Sequence, residues 1–164
     1  MKKLRLVVFK ECDRKCPGCC NNYWDIDNLP VVDSFKEYDE VILTGGEPML
    51  DPKLIISLIN LIKKENKLAN IYMYTAKTDS PYHLNLLVRL LDGVTITLHE
   101  QADVDNFIEF DRVAFGINKS LRLNVFKGIE VPYNELINNW IIAKDRVWDS
   151  TCGLPQYEVL MRLF

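Results

Sequence analysis

Four of the five cysteines in this chain fall within one short run, Cys12-Asp13-Arg14-Lys15-Cys16-Pro17-Gly18-Cys19-Cys20. Cys12, Cys16 and Cys19 stand at C-x-x-x-C-x-x-C spacing, close enough for three thiolates to converge on one metal centre. An odd count crowded this way is a poor disulfide framework, and in a reducing compartment such crowding points to metal binding. Arg14 and Lys15 are expected to favour thiolate over thiol and to offset the charge of a centre. Pro17-Gly18 permits a tight backbone around it. Three thiolates complete neither a four-iron cluster, which usually takes four, nor a closed structural zinc site. They leave one coordination position open, which suits chemistry, and both metals stay open on this evidence. Zinc would need Cys20 or the distant Cys152 as fourth donor, and Cys20 is poorly placed because adjacent cysteines cannot easily bind one ion. Outside that role Cys20 reads as a small packing residue or a thiol beside the site, and Cys152 as a free buried thiol.

A second run, Thr44-Gly45-Gly46-Glu47-Pro48, follows a short apolar segment. Its glycines let the backbone approach a ligand closely, and Glu47 puts a carboxylate where parallel α/β folds keep their sites. Weaker candidates are Thr75 at the end of an apolar run, His99-Glu100 at the end of the next, and the pair Arg122 and Asn124. The last two alternate with Leu121, Leu123 and Val125, so they share one face. A buried Arg and Asn need polar partners, which a cofactor or substrate could supply. His99 has two readings, a proton or substrate role and an ordinary surface residue at a strand end, the second favoured; Trp24, Trp140 and Trp148 read as core or lid.

The elements that must position these groups alternate in type. Strands are predicted over 4–9, 40–44, 70–75, 94–98, 121–126 and 140–148. Helices are predicted from Pro52, capped by Asp51 and carrying the stripe Leu54, Ile55, Leu58, Leu61 and Ile62, over 80–91, over 101–110, and briefly over 132–138. Residues 10–29 have no periodicity and form the cysteine loop. Six strands alternating with helices imply a mainly parallel, curved sheet: an α/β fold, a partial (β/α)6 barrel rather than the closed eightfold one. Residues 1–164 are expected to form one domain.

Composition narrows the function classes. With 20 basic and 23 acidic side chains and net charge −3, there is no excess positive charge to neutralise a nucleic-acid backbone. Apolar runs fall short of the roughly 20 residues of a membrane span, and the N-terminal run is too short for a signal peptide, so no membrane partner and a cytoplasmic location are expected.

The two motifs together, in this order, resemble the radical S-adenosylmethionine (SAM) superfamily: Cys12, Cys16 and Cys19 after the first strand, Gly45-Gly46-Glu47-Pro48 after the second. The resemblance implies a [4Fe-4S] cluster on the three cysteines and SAM chelating the fourth iron through its amino and carboxylate groups. It implies a role for Gly45, Gly46, Glu47 and Pro48 around the methionine end of SAM, with a polar contact from Thr75; Arg122 and Asn124 reach SAM or substrate if their shared face points into the barrel. An external electron donor would reduce the cluster, SAM would be cleaved to methionine and a 5′-deoxyadenosyl radical, and the radical would abstract hydrogen from a substrate. The residue before the third cysteine is often aromatic in this family and contacts adenine; here it is Gly18, so that packing falls to Tyr23, Trp24 or backbone. Chain length and the Cys19-Cys20-Asn21 run are similar to small activases of anaerobic ribonucleotide reductase, which implies a glycyl-radical enzyme as protein substrate. A small heterocycle, as in 7-carboxy-7-deazaguanine synthases, is the alternative, and a non-catalytic zinc module the third reading.

Overall fold

The computed structural model describes Met1–Phe164, the whole chain. Seven strands form one open sheet: β1 (Lys3–Val7), β2 (Glu40–Thr44), β3 (Asn70–Thr75), β4 (Gly93–Leu98), β5 (Ser120–Phe126), β6 (Ile141–Arg146) and β7 (Glu158–Arg162). The order is β6-β5-β4-β3-β2-β1-β7, and every neighbouring pair is parallel. Three helices connect them: α1 (Pro52–Glu65), α2 (Pro81–Leu90) and α3 (Asp103–Val113). Strands laid down in chain order with right-handed crossovers put all three helices on the same face.

Register divides the residues of the sheet between two faces. Leu6, Leu43, Met73, Val94 and Leu121 lie in one row across five strands and are buried against Ile55, Ile62, Leu84, Leu87 and Phe107 of the helices. Opposite them run Arg5, Ile42, Tyr72, Gly93 and Ser120, then Tyr74, Thr95 and Arg122. No helix covers this more polar face.

Local signals explain the helix ends. Asp51 caps α1 by accepting from Leu54 N at 3.0 Å, and Pro52 occupies its first turn, where a missing N–H costs nothing. Lys63 and Lys64 sit in its last turn, matching the helix dipole.

The expected six strands are one short. β7 pairs parallel with β1, and Glu158 receives a hydrogen bond from Arg5 Nε at 2.8 Å. Its partner lies at the other end of the chain, so no local pattern marks it. Nor is there a helix over 132–138. A 3-10 turn at Tyr133–Glu135 stands there, and the buried Asp111 carboxylate holds the following segment through Ile137 N, Asn138 N and Trp140 Nε1. The first strand ends at Val7 rather than Phe9. No helix is long and apolar enough to cross a membrane.

Candidate metal centre

Gly45 and Gly46 form a left-handed turn at the C-terminal end of β2, with φ of 74° and 47°. A Cβ on Gly46 would lie 2.2 Å from the Glu11 carbonyl oxygen, and one on Gly45 would lie 2.4 Å from Val7 Cγ1. Glu47 N donates to that same Glu11 oxygen at 2.9 Å. The glycine turn and the start of the cysteine loop are therefore built against one another, and only glycine permits both the backbone angle and the approach.

From there the cysteine loop runs across the C-terminal ends of the strands, where open parallel sheets bind their ligands. Asp13 pairs with Lys77 at 2.6 Å, beyond the end of β3. Arg14 reaches the Ala76 carbonyl at 3.0 Å and forms a two-pronged pair with Asp103 at 2.5 and 2.9 Å. Cys16 Sγ lies 3.5 Å from His99 Nδ1, just past β4. Gly18 lies under the Trp148 ring, where a Cβ would be 2.3 Å from Trp148 Cγ.

Glu47 is buried, with 3% exposure. Its Oε1 accepts from Met49 N at 2.9 Å and Thr75 Oγ1 at 2.5 Å, and its Oε2 from Ala76 N at 3.0 Å. Desolvation pushes its pKa above the ordinary carboxylate value despite these donors. Glu47 thus ties the end of β2 to the end of β3. Thr75 is equally committed, since its hydroxyl also accepts from Lys77 N at 3.0 Å. Pro48 opens the 3-10 turn Pro48–Leu50.

Cys12, Cys16 and Cys19 are free thiols. They share the loop, but their side chains do not meet as one closed donor group: Cys12 Sγ accepts from Arg14 N at 3.4 Å while Cys16 turns to His99. Desolvation is the largest influence on the Cys12 and Cys16 thiols and raises the pKa of both. Arg14 does favour the Cys16 thiolate, as its charge leads one to expect, yet the net shift is upward. The guanidinium is paired with Asp103, and desolvation outweighs it. An open cleft of about 690 Å³ beside Cys16 is lined by Asp13, Arg14, Lys15, His99 and Trp148.

Two expectations are corrected. Cys20 and Cys152 are neither packing residue nor free thiol: they are bonded to each other, which withdraws both from any fourth-ligand role. His99 is not on the surface. It is half-buried between Phe126 and Trp148, with ring centroids 4.7 and 4.8 Å away, and burial lowers its pKa.

Arg122 and Asn124 share the face away from the helices, as their alternation requires. Asn124 Nδ2 stands 3.5 Å from Thr97 Oγ1. Arg122 lines a separate cavity of about 90 Å³ with Tyr72, Tyr74 and Thr95, rather than the cleft at Cys16. Of the aromatic residues considered for adenine packing, Tyr23 is 60% exposed and Trp24 donates its indole N–H to the Cys152 carbonyl at 3.1 Å. Asp103 is absent from the sequence-based site, and so is the pairing of Cys152 with Cys20. An acidic residue in the first turn of a helix after a strand was the available signal for Asp103; none marked that pairing. Compared with family models and with curated proteins, the chain matches none.

Proposed function

We propose that this chain is a radical SAM enzyme, holding a [4Fe-4S] cluster on Cys12, Cys16 and Cys19 and SAM beside Gly45, Gly46, Glu47 and Pro48. The observation that carries the reading is the direct contact of the two motifs: Glu47 N on Glu11 O at 2.9 Å, with Gly46 pressed against the same carbonyl. Loops after adjacent parallel strands lie side by side in any case; what goes beyond that is the left-handed Gly45-Gly46 turn, in which a Cβ at Gly46 would meet the Glu11 carbonyl oxygen at 2.2 Å. The donor set fits the cluster: the three spaced thiols of Cys12, Cys16 and Cys19 leave one iron for another ligand. When bound, the cluster and SAM supply one-electron cleavage of the sulfonium and a carbon radical for hydrogen abstraction.

The chain's own residues position and enclose. The left-handed Gly45-Gly46 turn exposes backbone groups at the rim for an amino-acid-like ligand. Glu47 keeps a free lone pair on Oε2 after its single bond to Ala76 N, enough to accept from an ammonium. Arg122 and Asn124, on the uncovered face, orient whatever lies across the sheet.

A partial barrel accommodates the seventh strand. Residues 147–157 join β6 on one edge to β7 on the other. The edges of a flat seven-stranded sheet would be about 29 Å apart, and the chain must also travel back along a strand of about 17 Å. An extended segment of this length reaches about 40 Å against a diagonal of about 34 Å, and this one loses that slack to turns at Asp149–Thr151 and near Tyr157. A curved sheet shortens the path. The cleft beside Cys16 has Trp148 on one side and stays open to solvent, which suits a peptide loop of a partner protein, such as a glycyl-radical enzyme, better than a small heterocycle that needs enclosure.

A second reading has one observation in its favour. His99 Nδ1 at 3.5 Å from Cys16 Sγ could serve as the fourth donor of a Cys3His zinc site. Anaerobic reconstitution separates the two. The radical SAM reading expects about four irons and four sulfides per chain, lost on changing Cys12, Cys16 or Cys19 to Ala and kept in His99→Ala. With SAM and a reductant the loaded protein should release methionine and 5′-deoxyadenosine. Stoichiometric zinc that resists replacement by iron, and falls in His99→Ala, would install the zinc reading instead.

A further inference from the structure

The Cys20–Cys152 bond links residues 132 apart in sequence and fastens the 147–157 segment onto the cysteine loop. What else holds that segment there is slight. Trp24 Nε1 donates to Cys152 O at 3.1 Å. The Trp148 ring lies on Gly18 and packs with Phe126 and His99 at centroid distances of 4.6 and 4.8 Å. No backbone hydrogen bond joins the segment to residues 12–24. Cys152 itself has φ of 46°, a left-handed conformation that a residue with a side chain keeps only when its surroundings enforce it. Through Trp148 the pinned segment also forms one wall of the cleft beside Cys16, while Cys16 is turned to His99 and Cys12 to the Arg14 amide.

We infer that Cys20–Cys152 is a reducible clasp, whose oxidised form pins residues 147–157 over the cysteine loop and whose reduction by a dithiol frees the loop to gather its three remaining thiols around a metal. The reductant's thiolate attacks one sulfur of the bond, forming a mixed disulfide; its second thiol completes the exchange. Two electrons and two protons pass to Cys20 and Cys152, which leave as thiols, and the reductant leaves as its own disulfide. The metal half of this inference rests on the proposed function; the clasp itself does not.

The test uses the full chain, metal-free and anaerobic, before and after treatment with dithiothreitol that is then removed. Alkylation should modify three of the five cysteines before reduction and all five after. Hydrogen exchange at residues 147–157 and 12–24 should speed up by about tenfold or more on reduction, as expected when local opening no longer works against a cross-link. Cobalt(II), read by its thiolate absorption band, should be taken up faster by the reduced chain. Cys20→Ser and Cys152→Ser should behave as the reduced form whether or not reductant is used. Five alkylated cysteines in the untreated chain, or unchanged exchange in reduced wild type, would overturn the clasp. Changed exchange with cobalt taken up no faster by the reduced chain would leave the clasp standing and overturn its link to a metal site, while the proposed function stands or falls separately on the iron and sulfide counts of reconstitution.

Discussion

The helix-backed side of the sheet and the rim that carries the cysteine loop are stabilised in opposite ways. On the helix side a continuous apolar cluster runs from Leu4 to Val131, and side chains such as Leu87, Phe107 and Phe110 are completely buried. Any one contact there is weak, and their sum is large. At the rim the 3-10 turn Cys20–Asn22 buries nothing, and the loop is held by separate ties: Lys77 to Asp13, Arg14 to Asp103, Cys20 to Cys152. Losing one core contact weakens the whole fold, whereas losing one rim tie releases a segment.

The largest test of this difference is Phe107→Ala. Phe107 is fully buried and packs its edge on Trp140 at 5.1 Å. The substitution should cost about 3–5 kcal/mol, read as a lower midpoint in urea with an unchanged slope. Alkylation of Cys12, Cys16 and Cys19 in the folded protein should stay as in wild type. A loss under about 1 kcal/mol, or a selective rise in cysteine reactivity, would break the contrast between the two regions.

Gly46→Ala probes the seam where they meet. The new side chain would have to adopt a left-handed backbone and displace the Glu11 carbonyl. We expect a loss of about 2–3 kcal/mol, with faster exchange at Glu47 N as its bond to Glu11 opens. Gly116 is the control: its φ is 74° but a Cβ there meets nothing within 4 Å. Gly116→Ala should show only the conformational cost, about 1 kcal/mol. Equal losses at the two positions would mean that the contact between the motifs contributes nothing.

The same contrast explains what could be read beforehand. Strands β2 and β3 and the Asp51 cap are found where alternation, glycines and capping chemistry put them, because the signals lie within a few residues of one another. β7 escaped because its partner β1 is at the far end of the chain. The Cys20–Cys152 bond is hidden for the same reason, since its two ends lie 132 residues apart and the crowding of four cysteines at 12–20 is itself a metal-site signal. Arg14 was read by its charge alone; its actual role depends on Asp103, which only the fold brings to it. His99 looked exposed because the residues that cover it, Phe126 and Trp148, come from other elements.

A smaller effect than at Phe107 or Gly46, and the one that sharpens the comparison most, comes from Arg14→Met. Asp103 accepts from both Arg14 terminal nitrogens and from the backbone of His99 and Glu100 at 2.9 and 3.1 Å. Desolvation works to raise the Asp103 pKa, but these donors outweigh it, and the net shift is downward. A carboxyl group that is more acidic folded than unfolded stabilises fully above its unfolded pKa of about 3.9, and that contribution is lost as pH falls through the lowered folded value. Removing the guanidinium should therefore cost about 1–2 kcal/mol at pH 7, a charge-assisted bond discounted for the 24% exposure of the Arg14 side chain. The gap between variant and wild type should close progressively below about pH 4, as Asp103 takes up its proton in both. Exchange at residues 12–16 should rise in the variant at pH 7 while that of β2 through β4 keeps pace with global stability. A gap that persists unchanged to pH 3 would show that Arg14 acts by packing rather than charge, and unchanged exchange in the loop would remove it from the ties that hold the rim.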